Sequence, residues 1–268
     1  MRPSLALVFT LLATPILAQD RIPSHCIALA LADPTVVPVA LNEGLEDGSV
    51  LIRYIDHASF AIVTHDGTVA VTDYTGYLGT QDVVPDIVTM NNAHSTHWTA
   101  APDLRIPHVL EGWGPAGAPA DHRLDLGSML IRNVPTDTRG PFGEGARKDG
   151  NSIFIFEAGG LCIGHLGHLH QIPSDAQYAA IGRLDVVMVP VDGGYTLRLS
   201  DMAGVVRRLR SSVVIPMHWF SEESLQSFLT EMSTEFDVVE TGGAQIALSL
   251  RDLPTAPTIL VLDPVYLD

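Results

Sequence analysis

Short apolar runs rich in Val, Ile and Thr recur from Val50 to Leu262, and they constrain the fold of this chain more than any other feature. Each run has four to six residues and is bounded by turn-forming residues, such as His65-Asp66-Gly67. Runs of this length and composition are typical of buried β-strands. The first three runs predict an antiparallel meander. The predicted strands are Val50–Ile55, Ser59–Thr64, Val69–Thr72, Ile87–Met90, Met129–Val134, Ser152–Glu157, Val186–Val191, Val213–Met217, Ile246–Leu250 and Thr258–Leu262.

Helical patterns occur mainly in the second half of the chain, each after a serine that can cap a helix N-terminus. The segment Asp137–Asn151 is rich in glycine and charge, which predicts a mobile loop between two strands. Strands with helices interleaved late in the chain predict a layered α/β sandwich in one domain. The predicted helices are Asp175–Ile181 after Ser174, Asp201–Leu209 after Ser200 and Glu222–Met232 after Ser221.

The N-terminus has the order of features found in a secretory signal. Arg2 gives a short positive region, Leu5–Leu12 is apolar but too short to span a bilayer, and Ala18 fits a cleavage site. The alternative is a buried N-terminal helix. The signal interpretation predicts removal of residues 1–18 and a single domain over residues 19–268, in the periplasm or secreted. We expect no membrane contact after cleavage, because no later window is long and apolar enough.

Charge restricts the partners of the protein. The formal net charge is −16, and Lys148 is the only lysine. An acidic surface of this kind repels phosphate backbones, so we expect no nucleic-acid partner. A small-molecule substrate is the expected partner instead.

The chain contains two cysteines, Cys26 and Cys162. In an oxidising compartment they can form a disulfide. The alternative is two separately buried thiols, which the apolar neighbours of Cys162 also suit. Sequence alone leaves both possibilities open, because a disulfide depends on geometry.

Histidines cluster at three predicted strand ends. His94 and His97 follow one strand, His165 and His168 follow a second, and His218 follows a third. Loops at one edge of a sheet are common places for a site. Imidazole is a common nitrogen ligand for zinc, and a catalytic zinc ion takes three protein ligands and leaves one position for water. The five histidines together therefore predict a metal site, although any one alone is better explained as a surface or core residue.

The ordered series of segments between about residue 50 and Trp219 resembles the metallo-β-lactamase superfamily. It is most similar to the zinc-dependent hydrolase branch related to the ascorbate-phosphate lactonases. This resemblance implies an αββα sandwich with the site at one edge. The matching segments are Asp56-His57-Ala58-Ser59-Phe60, Val71-Thr72-Asp73-Tyr74, Gly150-Asn151-Ser152-Ile153-Phe154, His165-Leu166-Gly167-His168-Leu169, Gly193-Gly194-Tyr195-Thr196 with Asp192 inserted before it, and Ile215-Pro216-Met217-His218.

The chain departs from the signature of that family, H-x-H-x-D-H, at three positions. Asn92 stands for its first histidine and Thr96 for its aspartate. His168 stands where the family has an aspartate that bridges two metal ions. An amide oxygen is a poor zinc ligand, a threonine hydroxyl is neutral, and imidazole bridges two ions only after losing both protons. The resemblance with these changes therefore implies one zinc ion rather than two.

Two ligand sets remain open for that ion. The first is His97, His168 and His218, which we prefer because His97 and His218 are both intact family ligands. The rival set is His94, His165 and His168. The resemblance further implies that Asp73 lies behind the ligands and orients a histidine ring, and His57 is a candidate for the same position. The alternative for Asp73 is a turn residue at the end of a strand.

The other histidines carry less information. His170 is interpreted as a solvated loop residue. No role is assigned to the four histidines outside every matching segment, which are His25, His65, His108 and His122.

Two functions follow as hypotheses. The first is a metal-dependent hydrolase that acts on a small ester, lactone or phosphoester with a metal-bound hydroxide. The second is a catalytically inactive relative that serves as a metal-binding or scaffold protein. Asn92, Thr96 and His168 motivate the second hypothesis, because a fold does not guarantee its usual reaction.

Overall fold

The apolar runs pair into two sheets in the computed structural model, which describes residues 24–26, 44–139 and 146–268. These residues form 14 strands and three α-helices, with a short 3₁₀ turn at Pro115–Gly117. The predicted signal segment, residues 1–18, lies outside the described residues. The strands are β1 Val50–Asp56, β2 Ser59–Thr64, β3 Val69–Val71, β4 Ile87–Met90, β5 His108–Glu111, β6 Arg123–Asp125, β7 Met129–Arg139, β8 Ala146–Ala158, β9 Leu161–His165, β10 Val186–Pro190, β11 Val213–Met217, β12 Asp237–Glu240, β13 Gln245–Leu248 and β14 Thr258–Val261. The helices are α1 Asp175–Ile181, α2 Leu199–Leu209 and α3 Glu222–Met232.

The two sheets have six and eight strands. The first has the order β13-β1-β2-β3-β4-β5 and the second the order β12-β14-β11-β10-β9-β8-β7-β6. The pairs β1–β2 and β2–β3 are antiparallel, which confirms the predicted meander. The pairs β3–β4, β9–β10 and β10–β11 are parallel, so the carboxyl ends of these strands lie at a common edge within each sheet.

The main core lies between the sheets. Strand β8 shows how it forms, because alternate side chains of a strand point to opposite faces. Phe154 and Phe156 face the first sheet and pack with residues such as Ile52. Ile153 and Ile155 face outward, against the helices. Both faces of this part of β8 are therefore covered, which explains why residues 153–156 form a continuous apolar run rather than an alternating pattern.

All three α-helices of the described residues pack on the outer face of the eight-stranded sheet, through residues such as Met202 and Phe228. The cap of α1 is as predicted, because Ser174 and Gln177 form a reciprocal capping box. The predicted start of α2 is wrong: Arg198 is its N-cap residue, and Ser200 lies inside the helix. Ser221 stands at the N-cap of α3 without a side-chain capping hydrogen bond.

The outer face of the six-stranded sheet is covered differently. In the described part of the chain, loop residues such as Leu78 and Trp98, together with Leu267 near the C-terminus, pack there in place of an α-helix. The α/β sandwich is confirmed. Among the described residues, helices cover the outer face of the eight-stranded sheet and loops cover that of the six-stranded sheet.

The predicted mobile loop Asp137–Asn151 is wrong for the residues that the structure describes. Strand β7 continues to Arg139 and β8 begins at Ala146, and the two pair through Thr138 and Arg147. The polar, glycine-rich composition that suggested a loop belongs instead to the end of a long two-stranded ribbon. The predicted strands also do not include β5, β6, β9 and β12, which are only three to five residues long.

Cys26 and Cys162 form a disulfide with a Cα–Cα distance of 5.9 Å. It joins the segment at residues 24–26 to strand β9. Beside it, the Glu157 carboxylate accepts hydrogen bonds from Ser24 Oγ, His25 N and Arg132 Nε at 2.5, 3.1 and 3.0 Å. Within the described residues, no helix has the length and apolar character needed to cross a membrane.

Candidate metal centre

The predicted site residues lie where strands of both sheets end. In the first sheet, Asp73 follows β3 and His97 comes from the loop after β4. In the second, His168 follows β9 and His218 follows β11. His57, in the turn between β1 and β2, links the two groups, because its carbonyl oxygen accepts a hydrogen bond from His218 N at 2.8 Å. The sandwich therefore brings together residues that are far apart in sequence.

His97 and His218 form the centre of the cluster. Both are buried, and their Nε2 atoms face each other at 3.1 Å. Behind each ring lies a carboxylate. Asp73 Oδ2 is 2.6 Å from His97 Nδ1, and Asp192 Oδ2 is 3.0 Å from His218 Nδ1. In each pair the carboxylate favours the tautomer with its proton on Nδ1, which leaves the Nε2 lone pair free for a ligand.

His57 lies against the same centre. Its ring centroid is 3.9 Å from that of His218 and 5.6 Å from that of His97. His57 Nε2 is buried without a hydrogen-bond partner. One ring nitrogen from each of His57, His97 and His218 lies within 4.8 Å of the other two. The sequence predicts His57 behind the ligands, and in the structure its ring lies beside those of His97 and His218.

His168 is the third ring beside His97 and His218, with centroids 4.6 and 5.0 Å away. The three rings of the ligand set preferred from the sequence therefore lie close together, while the ring nitrogens that lie within 4.8 Å of one another are those of His57, His97 and His218. Nδ1 of His168 faces the amide nitrogen of Asn92 at 3.3 Å. His94 is exposed, and its ring stacks on His168 with centroids 5.4 Å apart.

The rival set does not come together with free nitrogen atoms. His165 is buried, its Nε2 lies 2.8 Å from the Ala58 carbonyl oxygen, and its Nδ1 lies 3.0 Å from Asn91 Nδ2 and 3.2 Å from Gly167 N. Both ring nitrogens of His165 are therefore engaged by the protein. Asn91 also donates its backbone N–H to Asp73 Oδ1 at 2.8 Å. This asparagine, which the sequence prediction does not include, links Asp73 after β3 of the first sheet to His165 of β9 in the second sheet.

The replaced signature positions have local partners. Thr96 Oγ1 lies 3.1 Å from His94 Nδ1, and Asn92 faces His168. His170 is not a solvated loop residue as predicted. It is half-buried, its ring centroid is 4.6 Å from that of His168, and its Nδ1 accepts a hydrogen bond from Arg139 N at 2.8 Å.

Burial favours the neutral form of His57, His97 and His168. It lowers the pKa of His97 and His168 well below the usual range, and lowers the pKa of His57 to about 3, with neighbouring histidines adding to the effect. Burial raises the pKa of Asp73. Burial also opposes ionisation of Asp192, but the contact with His218 and hydrogen bonds from Thr196 and Gly194 hold the pKa of this carboxyl below its usual value. Neutral rings are the form that binds metal ions.

Three site residues have backbone conformations in the left-handed region, with φ of 43° at His57, 44° at Asp73 and 60° at His218. Such a φ is uncommon outside glycine and stores strain. Hydrogen bonds hold it in place. Tyr54 Oη donates to the His57 carbonyl oxygen and Ser59 Oγ to that of Asp73, both at 2.7 Å.

The donor set fits a metal ion. In tetrahedral zinc sites the ligand nitrogens lie about 2.0–2.1 Å from the ion, which places them about 3.3 Å from each other. The Nε2 atoms of His97 and His218, 3.1 Å apart, are close to that spacing. A carboxylate lies behind each ring, and His57 Nε2 is buried and unpaired in the same cluster. The role of Asp192 is not predictable from the sequence, where this residue is visible only as an insertion before Gly193.

Comparison with known proteins gives concordant results. The profile of the β-lactamase superfamily domain matches residues 51–218. A UPF0173 metal-dependent hydrolase of Methanoregula boonei is 24% identical over 197 residues, which are 66% of this chain and 83% of that protein. A Thermotoga maritima structure, assigned to the Zn-dependent hydrolases of the metallo-β-lactamase superfamily, is similar with a TM-score of 0.57 and 25% identity, over 80% of this chain and 98% of that chain. A metallo hydrolase of Ignicoccus hospitalis has the same fold, with a TM-score of 0.54 and 18% identity over 75% and 99% of the two chains.

Proposed function

Because this chain belongs to the family defined by the β-lactamase superfamily domain, we propose that it is a metal-dependent hydrolase of a small ester, lactone or phosphoester. The observation that carries the proposal is the pair of carboxylate-backed histidines, Asp73–His97 and Asp192–His218, whose Nε2 atoms face each other at 3.1 Å. Relatives named or assigned as metal-dependent hydrolases support it.

His97 and His218 are the two residues that we assign first to a single zinc ion. The third nitrogen comes from His57 or His168. The unpaired Nε2 of His57 favours His57, whereas Nδ1 of His168 faces Asn92. When bound, the ion supplies a Lewis acid that polarises the scissile bond and activates water.

Side chains around the proposed ion hold its ligands in position. Asp73 and Asp192 fix the ring orientation and tautomer of His97 and His218, and their burial excludes water from those contacts. His94, exposed and stacked on His168, lines the open side of the cluster. Hydrolysis of an ester adds one water across the acyl C–O bond, so the products are a carboxylic acid and an alcohol.

Metal content tests the proposal directly. We expect the full chain, stripped with chelator and reconstituted with zinc, to retain close to one zinc ion per chain after gel filtration. Inductively coupled plasma mass spectrometry measures this ratio. Retention of no transition metal would overturn the proposal, and retention of two ions would overturn the single-ion site.

Replacing Asp192 by Asn separates positioning from ligation. The amide oxygen of Asn can still accept the backbone N–H groups of the loop, but it loses the charge beside His218 Nδ1. We expect zinc affinity to fall by about 10–100-fold, which is the usual effect of removing a partner behind a metal ligand. Competition with a chromogenic chelator measures the affinity. Asp201→Asn, which changes a half-buried carboxylate paired with Arg198 away from the metal centre, is the matched control and should leave the affinity unchanged.

A metal-binding protein without catalysis is the second candidate function. The observation in its favour is that Asn92 and Thr96 interact with His168 and His94 instead of supplying a histidine and a carboxylate. Restoring the family pattern with Asn92→His, Thr96→Asp and His168→Asp discriminates between the two. If only the restored protein hydrolyses model esters and phosphodiesters, the natural chain is the non-catalytic relative. Turnover by the natural chain that depends on zinc excludes this candidate.

A further inference from the structure

Two exposed aromatic rings stand beside the metal centre. Tyr195 and Phe220 are 69% and 61% exposed, and their rings meet edge-to-face with centroids 5.2 Å apart. The Phe220 ring is 5.2 Å from that of His57 and 5.3 Å from that of His218. Exposed apolar groups that adjoin a site commonly mark where a ligand binds. We call these two residues the aromatic pair.

The loop that carries Tyr195 is held from two sides. Asp192 Oδ1 accepts the N–H groups of Gly194, Tyr195 and Thr196 at 2.8, 2.6 and 3.0 Å. Arg139 Nη2 lies 2.8, 2.6 and 2.8 Å from the carbonyl oxygens of the same three residues. These hydrogen bonds order the backbone that carries Tyr195, so the backbone loses little conformational entropy when the ring binds a ligand.

The same carboxylate that holds the loop also contacts the metal centre. Asp192 Oδ2 accepts a hydrogen bond from Thr196 Oγ1 at 2.6 Å and lies 3.0 Å from His218 Nδ1. The position of Tyr195 is therefore tied to that of a proposed ligand. This places an apolar surface at a fixed distance from the reacting centre, which is what the orientation of a substrate needs.

Charge argues for an uncharged ligand. Arg139 directs its Nη2 to the backbone carbonyl oxygens of the Tyr195 loop, and the Asp192 carboxylate accepts the backbone N–H groups of the same loop. The net charge of −16 repels anions from the protein as a whole. Of the three substrate classes in the proposed function, a phosphoester fits these surroundings least. An ester or lactone with a planar apolar group fits both the rings and the charge.

We propose that Tyr195 and Phe220 bind an aromatic or similarly planar apolar group of an uncharged ester or lactone substrate. The proposal rests on the proposed hydrolase function and names the substrate class of that site. Water adds to the acyl carbon, the acyl C–O bond breaks, and the proton goes to the leaving alkoxide, so that an acid and an alcohol form. The acid ionises at neutral pH, and the acidic protein then favours its release.

Binding of ketones that resemble esters but cannot be hydrolysed tests the surface without turnover. We expect the zinc-loaded full chain to bind benzylacetone about tenfold more tightly than butanone, in ligand-observed NMR titrations. An aromatic contact contributes about 0.5–1.5 kcal/mol beyond area burial, so Tyr195→Ala and Phe220→Ala should each weaken benzylacetone binding about three- to tenfold. Neither variant should change butanone binding, and Phe220→Tyr should keep the affinity of the parent.

Tyr77→Ala is the matched control. Tyr77 is 55% exposed and meets Tyr266 edge-to-face with centroids 5.2 Å apart, which is the geometry of the aromatic pair at another place. Equal affinity of the parent for both ketones, or an equal loss in Tyr77→Ala, would overturn the proposal. So would unchanged benzylacetone binding in Tyr195→Ala and Phe220→Ala with normal zinc content. The protein could bind benzylacetone selectively through the aromatic pair and yet hydrolyse no ester. This result would support the pair as a binding surface and overturn only the hydrolase function.

Discussion

Zinc-dependent ester hydrolysis is expected to fall about a thousandfold when His218 is replaced by Asn, because a catalytic metal supplies several kcal/mol and about 1.4 kcal/mol corresponds to a factor of ten. Asn is the appropriate replacement, since His218 has φ of 60° and Asn tolerates the left-handed region better than Ala. The change also removes the nitrogen that faces His97 Nε2. Steady-state kinetics with the best neutral ester measure the loss.

A thermodynamic measurement accompanies the kinetic one. Zinc at 100 times its dissociation constant stabilises a folded protein that binds it by about 2.7 kcal/mol. We expect this stabilisation in the parent and not in His218→Asn, as shown by denaturant unfolding with and without zinc. His108→Asn changes a half-buried histidine of β5 and should behave like the parent in both experiments. A His218→Asn protein with full zinc content and normal turnover would refute the assignment of His218.

The second large effect concerns stability. Replacing Glu157 by Ala is expected to destabilise the fold by about 3–5 kcal/mol, the usual result of leaving one partner of a buried ion pair uncompensated. Arg132 is 7% exposed, and its other donors reach the carbonyl oxygens of Ala180 and Ile181 at 2.7 Å. It cannot move to water without breaking those contacts. Ser24 Oγ also loses its acceptor. Urea unfolding with the disulfide intact measures the change.

Two control variants test whether an unpaired buried charge causes the loss of stability in Glu157→Ala. Arg207→Ala removes an exposed cation that pairs with Glu235 at 2.7 Å, and we expect a cost below about 1 kcal/mol. The double variant Arg132→Met, Glu157→Met removes both buried charges together. It should cost less than Glu157→Ala, because no unpaired charge remains. If the double variant is the less stable of the two, loss of packing rather than an unpaired charge explains the effect.

The strands and the layer order were predictable because both depend on local pattern. Continuous apolar runs marked β2, β4 and β11 nearly to the residue, since these strands are buried on both faces. The pattern failed where a strand is exposed or polar. All four residues of β12 are exposed, and the distal part of the β7–β8 ribbon has the composition of a loop. There the pairing partner, and not the local sequence, determines the structure.

Part of the candidate site was predictable from the sequence, but its geometry was not. Spacing and family resemblance identified His97, His168 and His218, and the structure brings these rings together. They could not show that both nitrogens of His165 are engaged, because the partners, Ala58 and Asn91, come from other segments. They also could not reveal that Asp192 lies behind His218, since that contact depends on how the loop after β10 turns.

The hydrogen bond from His218 N to the His57 carbonyl oxygen has a consequence for the order of folding events. It joins a turn of the first sheet to a strand end of the second, so the cluster is complete only after the two sheets dock. Contacts between such distant segments are among the slowest to form, because the loop between them must close first. Zinc added to a refolding chain should therefore bind in the last kinetic phase. Loss of zinc from a chromogenic chelator, followed by the absorbance of the chelator, would report arrival at the native state, while secondary structure would report only the earlier steps.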